Sequence, residues 1–304
     1  MLVVPDYNNT RSSRKQLLLW TFLLVILMMA QSASALTALA SSSTPKQPLL
    51  VSEDSMEIAY DKLAERLQSK IVWEGNEGAQ PQKPQQYWVA IAGGPGSGKT
   101  TTATQVAKRL NQVHANHHHH NSNDDHPKKV ICVVLPMDGF HYPKDKLKEM
   151  DPPDGHNYLL RRGAPWTMDA TLCHQLLRQA KLAGKGELPS YSREISDPIP
   201  GGVVLEAHHQ IVLVEGLYLL LAHHPEWQPL QALWDESWFV RCPSRHQQRE
   251  RLIARSLENW SDLKIQTWGP GRPGAERKVD ANDVLNMDIV AASEAFCDVV
   301  IESK

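Results

Sequence analysis

Gly93-Gly94-Pro95-Gly96-Ser97-Gly98-Lys99-Thr100 fits the pattern G-x-x-x-x-G-K-[ST]. The apolar run Tyr87-Trp88-Val89-Ala90-Ile91-Ala92 precedes it, and residues 101–110 follow with helix-like composition. Strand, glycine turn and helix in that order let successive backbone N–H groups close around an oxyanion at a helix N-terminus. In such a loop the lysine, here Lys99, reaches the β- and γ-phosphates of a nucleotide, and the hydroxyl of Thr100 can hold Mg²⁺. The expected nucleotide-binding set is Gly93, Gly94, Pro95, Gly96, Ser97, Gly98, Lys99, Thr100 and Thr101.

Two more apolar runs fix where the rest of the chemistry belongs. Val130-Ile131-Cys132-Val133-Val134-Leu135 leads into Pro136-Met137-Asp138-Gly139-Phe140-His141-Tyr142, and Ile211-Val212-Leu213-Val214 leads into Glu215-Gly216-Leu217-Tyr218. Continuous β-branched runs mark strands buried on both faces of a parallel sheet. Ligands of open α/β sheets bind beyond the carboxyl ends of the strands. Asp138, Glu215 and the glycine loop are therefore expected at one crevice although they lie far apart in the chain.

Elsewhere the alternation of strands and helices predicts a three-layer α/β fold with a mostly parallel central sheet. Helices are expected over residues 52–70, from Thr167 or Asp169 as N-cap through Leu172, Leu176 and Leu177, over residues 244–257, and around Asn282-Asp283-Val284-Leu285-Asn286. Glu53 and Asp54 sit where the first turn of the first of these favours negative charge. Residues 75–86 read as a polar turn, 114–127 with their consecutive histidines as a solvated loop, 191–201 as a proline-punctuated polar loop, and 268–274 as a Gly/Pro loop. Further strands are expected at 237–241 and 299–301.

Composition narrows the class. The 304 residues carry 41% hydrophobic and 22% charged side chains, enough for one large α/β domain plus a tail. A net charge of −2 gives no reason to expect a nucleic-acid or membrane-surface partner. The four cysteines lack C-x-x-C pairing, so neither a zinc site nor a disulfide framework is indicated. Nothing in the sequence speaks to oligomeric state.

Taken in order, the glycine loop, Asp138-Gly139-Phe140-His141, Arg162-Gly163-Ala164-Pro165, Tyr191-Ser192-Arg193, Val214-Glu215-Gly216 and Asn282-Asp283-Val284-Leu285-Asn286 resemble the motifs of the phosphoribulokinase/uridine kinase family. The chain is similar to its pantothenate-kinase-like branch, with yeast and bacterial members labelled fructose-transport-system or nucleoside-kinase-like. The resemblance covers residues 49–304 and implies a P-loop NTPase fold that uses ATP and Mg²⁺ to phosphorylate a hydroxyl of a small metabolite. It implies Asp138 as general base, Glu215 as the acid near Mg²⁺, and Arg251 and Arg255 as lid arginines that approach the transferring phosphoryl group beside Lys99. His141, Tyr142, Tyr191 and Arg193 are the expected substrate contacts. The nucleoside-binding pattern of uridine kinases is missing, and residues 266–277 and the His-rich insertion depart from the family, which leaves sugar, nucleoside and pantothenate-like alcohols open as acceptors. The competing readings are an ATPase or nucleotide switch with no small-molecule acceptor, and a non-catalytic scaffold. The lack of an N-K-x-D motif argues against a GTPase, and the intact Lys99, Thr100, Asp138 and Glu215 against a scaffold.

The first 48 residues read apart from the rest. Arg11, Arg14 and Lys15 precede an apolar run over 17–30, and Ala33-Ser34-Ala35 follows, the layout of a secretory signal peptide with cleavage after Ala35. The run is short for a membrane span, and an uncleaved anchor is the other reading. Residues 36–48 are rich in Ser, Thr and Ala without an acid, so the two parts together look like the plastid address of algae with secondary plastids, with Leu36 where Phe is usual. An organellar, plastid location suits an ATP user better than secretion; a secretory-pathway anchor and the cytoplasm are the alternatives. The kinase domain, residues 49–304, is expected not to be membrane-embedded.

Overall fold

Buried on both faces, the strand that feeds the glycine loop runs between two parallel neighbours in the middle of the sheet. The computed structural model describes residues 47–71, 86–121, 130–150 and 160–304; the expected targeting segment up to residue 46, most of the polar turn at 75–86 and the end of the His-rich stretch lie outside them. Eight strands follow in chain order: β1 (Leu49–Val51), β2 (Tyr87–Ala92), β3 (Cys132–Pro136), β4 (Gly186–Ser192), β5 (Asp197–Leu205), β6 (Ile211–Gly216), β7 (Glu236–Arg241) and β8 (Val299–Glu302). Six of them form a parallel sheet in the order β1-β8-β7-β2-β6-β3, while β4 and β5 make a separate antiparallel hairpin.

Period-two alternation along β2 divides the core in two. Val89 and Ile91 point to helices α1 (Met56–Gln68) and α2 (Lys99–Asn121), packing with Leu63, Leu67, Val106 and Leu110. Trp88, Ala90 and Ala92 point to the opposite layer, where they meet Tyr218, Trp227 and Leu177. That layer includes α4 (Ala170–Ala183), which follows the short α3 (Lys144–Glu149) and is N-capped by Asp169, whose side chain accepts from the Leu172 N–H. A third, smaller core of Leu252, Ile253, Ala275, Val279 and Met287 sits among α5 (Arg245–Glu258), α6 (Asp262–Trp268), α7 (Gly271–Lys278), a π-helical turn at Val279–Asp283, and α8 (Val284–Ala291). Among the described residues no helix is long and apolar enough to cross a membrane.

Several sequence expectations need correction. The segment 191–201 is mostly strand, its antiparallel pairing with β4 taking up the prolines at the edges of a two-stranded sheet. Residues 114–121 are the last turns of α2 rather than loop, because histidine tolerates a helix already supported by tertiary packing. The Gly/Pro run at 268–274 breaks only at Gly269 and Pro270, and α7 begins at Gly271 with Pro273 in its first turn, where a missing N–H costs nothing. Helix α1 starts at Met56 behind an Ser55 cap, so Glu53 and Asp54 precede it. Strand β1, three residues long, was too short to be read from periodicity.

One close approach holds the active edge together. A Cβ on Gly216 would lie 2.3 Å from the Cβ of Met137, so the end of β6 and the turn after β3 meet only because residue 216 lacks a side chain. Gly216→Ala is expected to cost about 1–3 kcal/mol and lower the melting temperature by several degrees. Thermal unfolding followed by circular dichroism checks this, and an unchanged midpoint contradicts the packing argument.

Candidate active site

The phosphate loop is shaped by its backbone and gripped from outside. Gly96 has φ +74°, a conformation side chains rarely adopt, and a Cβ there would press within 2.9 Å of Leu252 on α5. Gln248, also on α5, donates from Nε2 to the carbonyl of Pro95 at 2.8 Å. Beyond the loop, α2 begins at Lys99, and Thr102 closes the first turn by donating from its amide and hydroxyl to the Gly98 carbonyl at 2.9 and 3.0 Å. The free N–H groups of a helix start and its positive dipole end make this a ready anion site. Ser97 is fully buried in the loop, whereas Thr100 and Thr101 are exposed on the first turn.

Strand register brings both acids to this loop. Glu215 on β6 lies level with Ile91 of β2 and with Pro136 of β3, so the ends of three strands align. Asp138 follows in a 3-10 turn over Met137–Phe140. Glu215 is 5% exposed, and burial raises its carboxyl above the usual range; the ammonium of Lys99, a hydrogen bond with Thr100 and the charge of Arg193 pull it down, while Asp138 pushes it up. Lys99, Thr100, Asp138, Glu215 and Arg193 are therefore electrostatic neighbours. The Thr100 hydroxyl and the Glu215 carboxylate are oxygen donors suited to a hard cation such as Mg²⁺. Among the described residues no cluster of three or more His, Cys, Asp or Glu would hold a metal unaided.

Past Asp138 stands a layer of aromatic and basic groups. His141 Nδ1 donates to the Asp138 carbonyl at 2.8 Å, and its ring meets that of Tyr191 with centroids 5.0 Å apart. Arg162 lies 5.9 Å from the Tyr191 ring and donates from Nη2 to Asp197 at 2.8 Å. Tyr142 carries the ammonium of Lys146 over its ring at 4.1 Å, and Arg193 is exposed on the turn between β4 and β5. These aromatic and basic residues come from three separate segments. What fixes the Arg162 segment is a clasp: Asn282 donates from Nδ2 to the Arg162 carbonyl at 2.8 Å and accepts from Arg161 Nε at 3.3 Å, while the Tyr218 hydroxyl bonds the Gly163 carbonyl.

Of the expected catalytic residues, Lys99 and Asp138 share the cleft; Arg251 does not join them. It donates from Nη1 to the Ser303 hydroxyl at 3.0 Å and from Nη2 to the Ser303 carbonyl at 3.3 Å, and its charge bears on Tyr60 of α1. That bond pattern ties α5 to the end of β8, and it leaves Arg251 engaged away from the acids. Arg255, one turn on, is exposed. Sequence reading passed over Arg162, Asp197 and Gln248 as site residues. For Arg162 the signal was its place in the Arg162-Gly163-Ala164-Pro165 motif; Gln248 and Asp197 carried none.

No family model matches the chain. Among curated proteins, a uridine kinase-like protein of Schizosaccharomyces pombe is 31% identical over 220 residues, 72% of this chain and 83% of the relative. An ATP-dependent kinase-like protein of Aspergillus versicolor is 34% identical over 157 residues, 50% of this chain and 85% of that protein. Among solved structures, a fructose transport system kinase-like protein of Silicibacter sp. TM1040 superposes with a TM-score of 0.59 at 25% identity, covering 79% of this chain and 98% of that one.

The cleft makes a pH prediction. Burial, the largest influence, holds the His141 imidazole below its ordinary range, against the pull of Asp138 and Asp197 and with that of Arg162. In the unfolded chain a histidine takes up its proton near pH ~6.5. Between that value and the lowered one the unfolded state binds more protons, so stability present above pH ~6.5 is lost as the pH falls. Urea unfolding of the native chain and of His141→Gln tests this: the native chain is expected to lose more stability between about pH 7.5 and about pH 5. Parallel pH profiles would contradict it.

Proposed function

The chain belongs to the uridine kinase-like family of P-loop kinases, and on that premise we propose that it transfers the γ-phosphoryl group of ATP to a hydroxyl of a small metabolite. It is a kinase; the hydroxylated small-molecule acceptor is our reading. One observation carries it: Asp138 and Glu215 stand with Lys99 and Thr100 at the end of the sheet, and beyond Asp138 lies a layer of His141, Tyr191 and Arg162. An enzyme that only hydrolyses ATP needs to place a water there; aromatic and basic side chains suit an organic acceptor.

Phosphoryl transfer asks for alignment and charge neutralisation more than for covalent help. Loop amides and Lys99 bind and orient the β- and γ-phosphates. Thr100 and Glu215 would hold Mg²⁺, which when bound would supply positive charge for the transfer. Asp138 accepts a hydrogen bond from the acceptor hydroxyl and takes its proton as that oxygen bonds to the γ-phosphorus. The bond from the γ-phosphorus to the bridging oxygen breaks, the electron pair leaves with ADP, and Asp138 later yields the proton to solvent. Arg255, exposed one turn along α5, is free to approach the phosphates, whereas Arg251 first has to leave Ser303. We read residues 49–304 as the kinase and residues 1–48 as its delivery segment, with a plastid as the destination.

Acceptor-dependent ADP formation across a library of sugars, nucleosides and vitamin-like alcohols tests the reading. Asp138→Asn is expected to keep ATP affinity within about twofold and lose about 10²–10⁴ in turnover. Lys99→Ala should weaken ATP binding and turnover together. ADP formation that ignores every added acceptor, or full turnover in Asp138→Asn, would refute it.

A further inference from the structure

One guanidinium in the acceptor half of the cleft is incompletely paired. Arg162 stands beyond Asp138 with the carboxylate of Asp197, and Arg193 stands on the neighbouring turn. Arg162 spends only Nη2 on that carboxylate; its Nε and Nη1 are shielded from water and have no hydrogen-bond partner. A dry, unpaired guanidinium edge is costly, and a ligand acceptor that pairs with it is the ordinary way such a cost is offset at a cleft. Its neighbours Tyr191 and Asp197 are themselves only part-buried. Arg193 is exposed on the β4–β5 turn, has no ion-pair partner among the described residues, and is close enough for its charge to reach Glu215.

Resting on the kinase reading above, we infer that the molecule phosphorylated here carries an acidic group, a carboxylate or a phosphate, received by Arg193 and Arg162 while its hydroxyl meets Asp138. Guanidinium forks suit both anions in two-pronged geometry. A neutral acceptor, whether a free sugar or a nucleoside, would leave the Arg162 edge without a charged partner. His141 and Tyr191, between Arg162 and Asp138 in their contacts, would pack on the carbon skeleton that joins the two functional groups.

The test uses the full chain and acceptors in matched pairs: pantothenate against panthenol, gluconate against sorbitol, ribose 5-phosphate against ribose. Acidic members are expected to give acceptor-dependent ADP formation with kcat/KM at least about tenfold above their neutral partners, the size of one charge-assisted hydrogen bond. Which pair responds separates carboxylate from phosphate. Arg193→Gln, a change at an exposed turn that the fold tolerates, should raise KM for the acidic acceptor about tenfold or more with little change in kcat or in KM for ATP. Arg162→Lys, which keeps the charge but loses the fork, should do the same. Calorimetric titration of the accepted acid into Asp138→Asn gives a readout without turnover: binding should survive there and weaken when Arg193→Gln is added. Equal turnover of acidic and neutral partners, or turnover absent from every acidic member, overturns the inference while leaving the kinase reading intact. ADP formation independent of all acceptors overturns both.

Discussion

Everything at the candidate site depends on the parallel pairing of β2 with β6. That register sets Glu215 level with Ile91 and Gly216 level with Ala92, the last residue before the phosphate loop. In a parallel sheet a slip of one residue would turn Glu215 to the opposite face. β6 is buried along its length and β2 from Trp88 onward, so the register is specified by the whole core rather than by the site. Packing of Gly216 against Met137 then carries the alignment across to β3 and places Asp138. A burial pattern that exists for stability thus fixes the spacing of two acids relative to a nucleotide.

The acceptor half is assembled differently. Its residues come from the turn after β3, the segment before α4, and the β4–β5 hairpin, none of which belongs to the main sheet. Side-chain bonds to backbone hold these pieces in place: Asn282 and Tyr218 on the segment of Arg162 and Gly163, and Asp197, which accepts from the Lys144 amide at 3.1 Å as well as from Arg162. Such attachments are more easily retuned than strand register. A rigid donor half beside a clasped acceptor half is what a family with one chemistry and varied acceptors would require.

How much of this was legible in the sequence follows from the range of the interactions. The glycine loop and the strands at β2, β3, β6 and β7 were readable because their signals are local: glycine spacing, and apolar runs ended by turns. Asp138 and Glu215 were placed at one crevice by a rule about strand ends, and the structure puts them there. The hairpin was hidden because Pro198 and Pro200 speak against strand except at an edge, and whether a strand is an edge is a tertiary fact. The engagement of Arg251 with Ser303 was invisible for the same reason, since the two are brought together only by α5 docking on β8. An i, i+4 pair of arginines on a helix announces its spacing but not which neighbour it meets.

The central claim is that the cleft hands a phosphoryl group to an organic hydroxyl and not to water. Following the label from γ-³²P-ATP in a single turnover, with a pool of small hydroxylated metabolites present, tests this most directly. The account predicts that the label appears in a new organic phosphate ester, with little inorganic phosphate. Label recovered as inorganic phosphate, in the same amount with and without the metabolite pool, would contradict it.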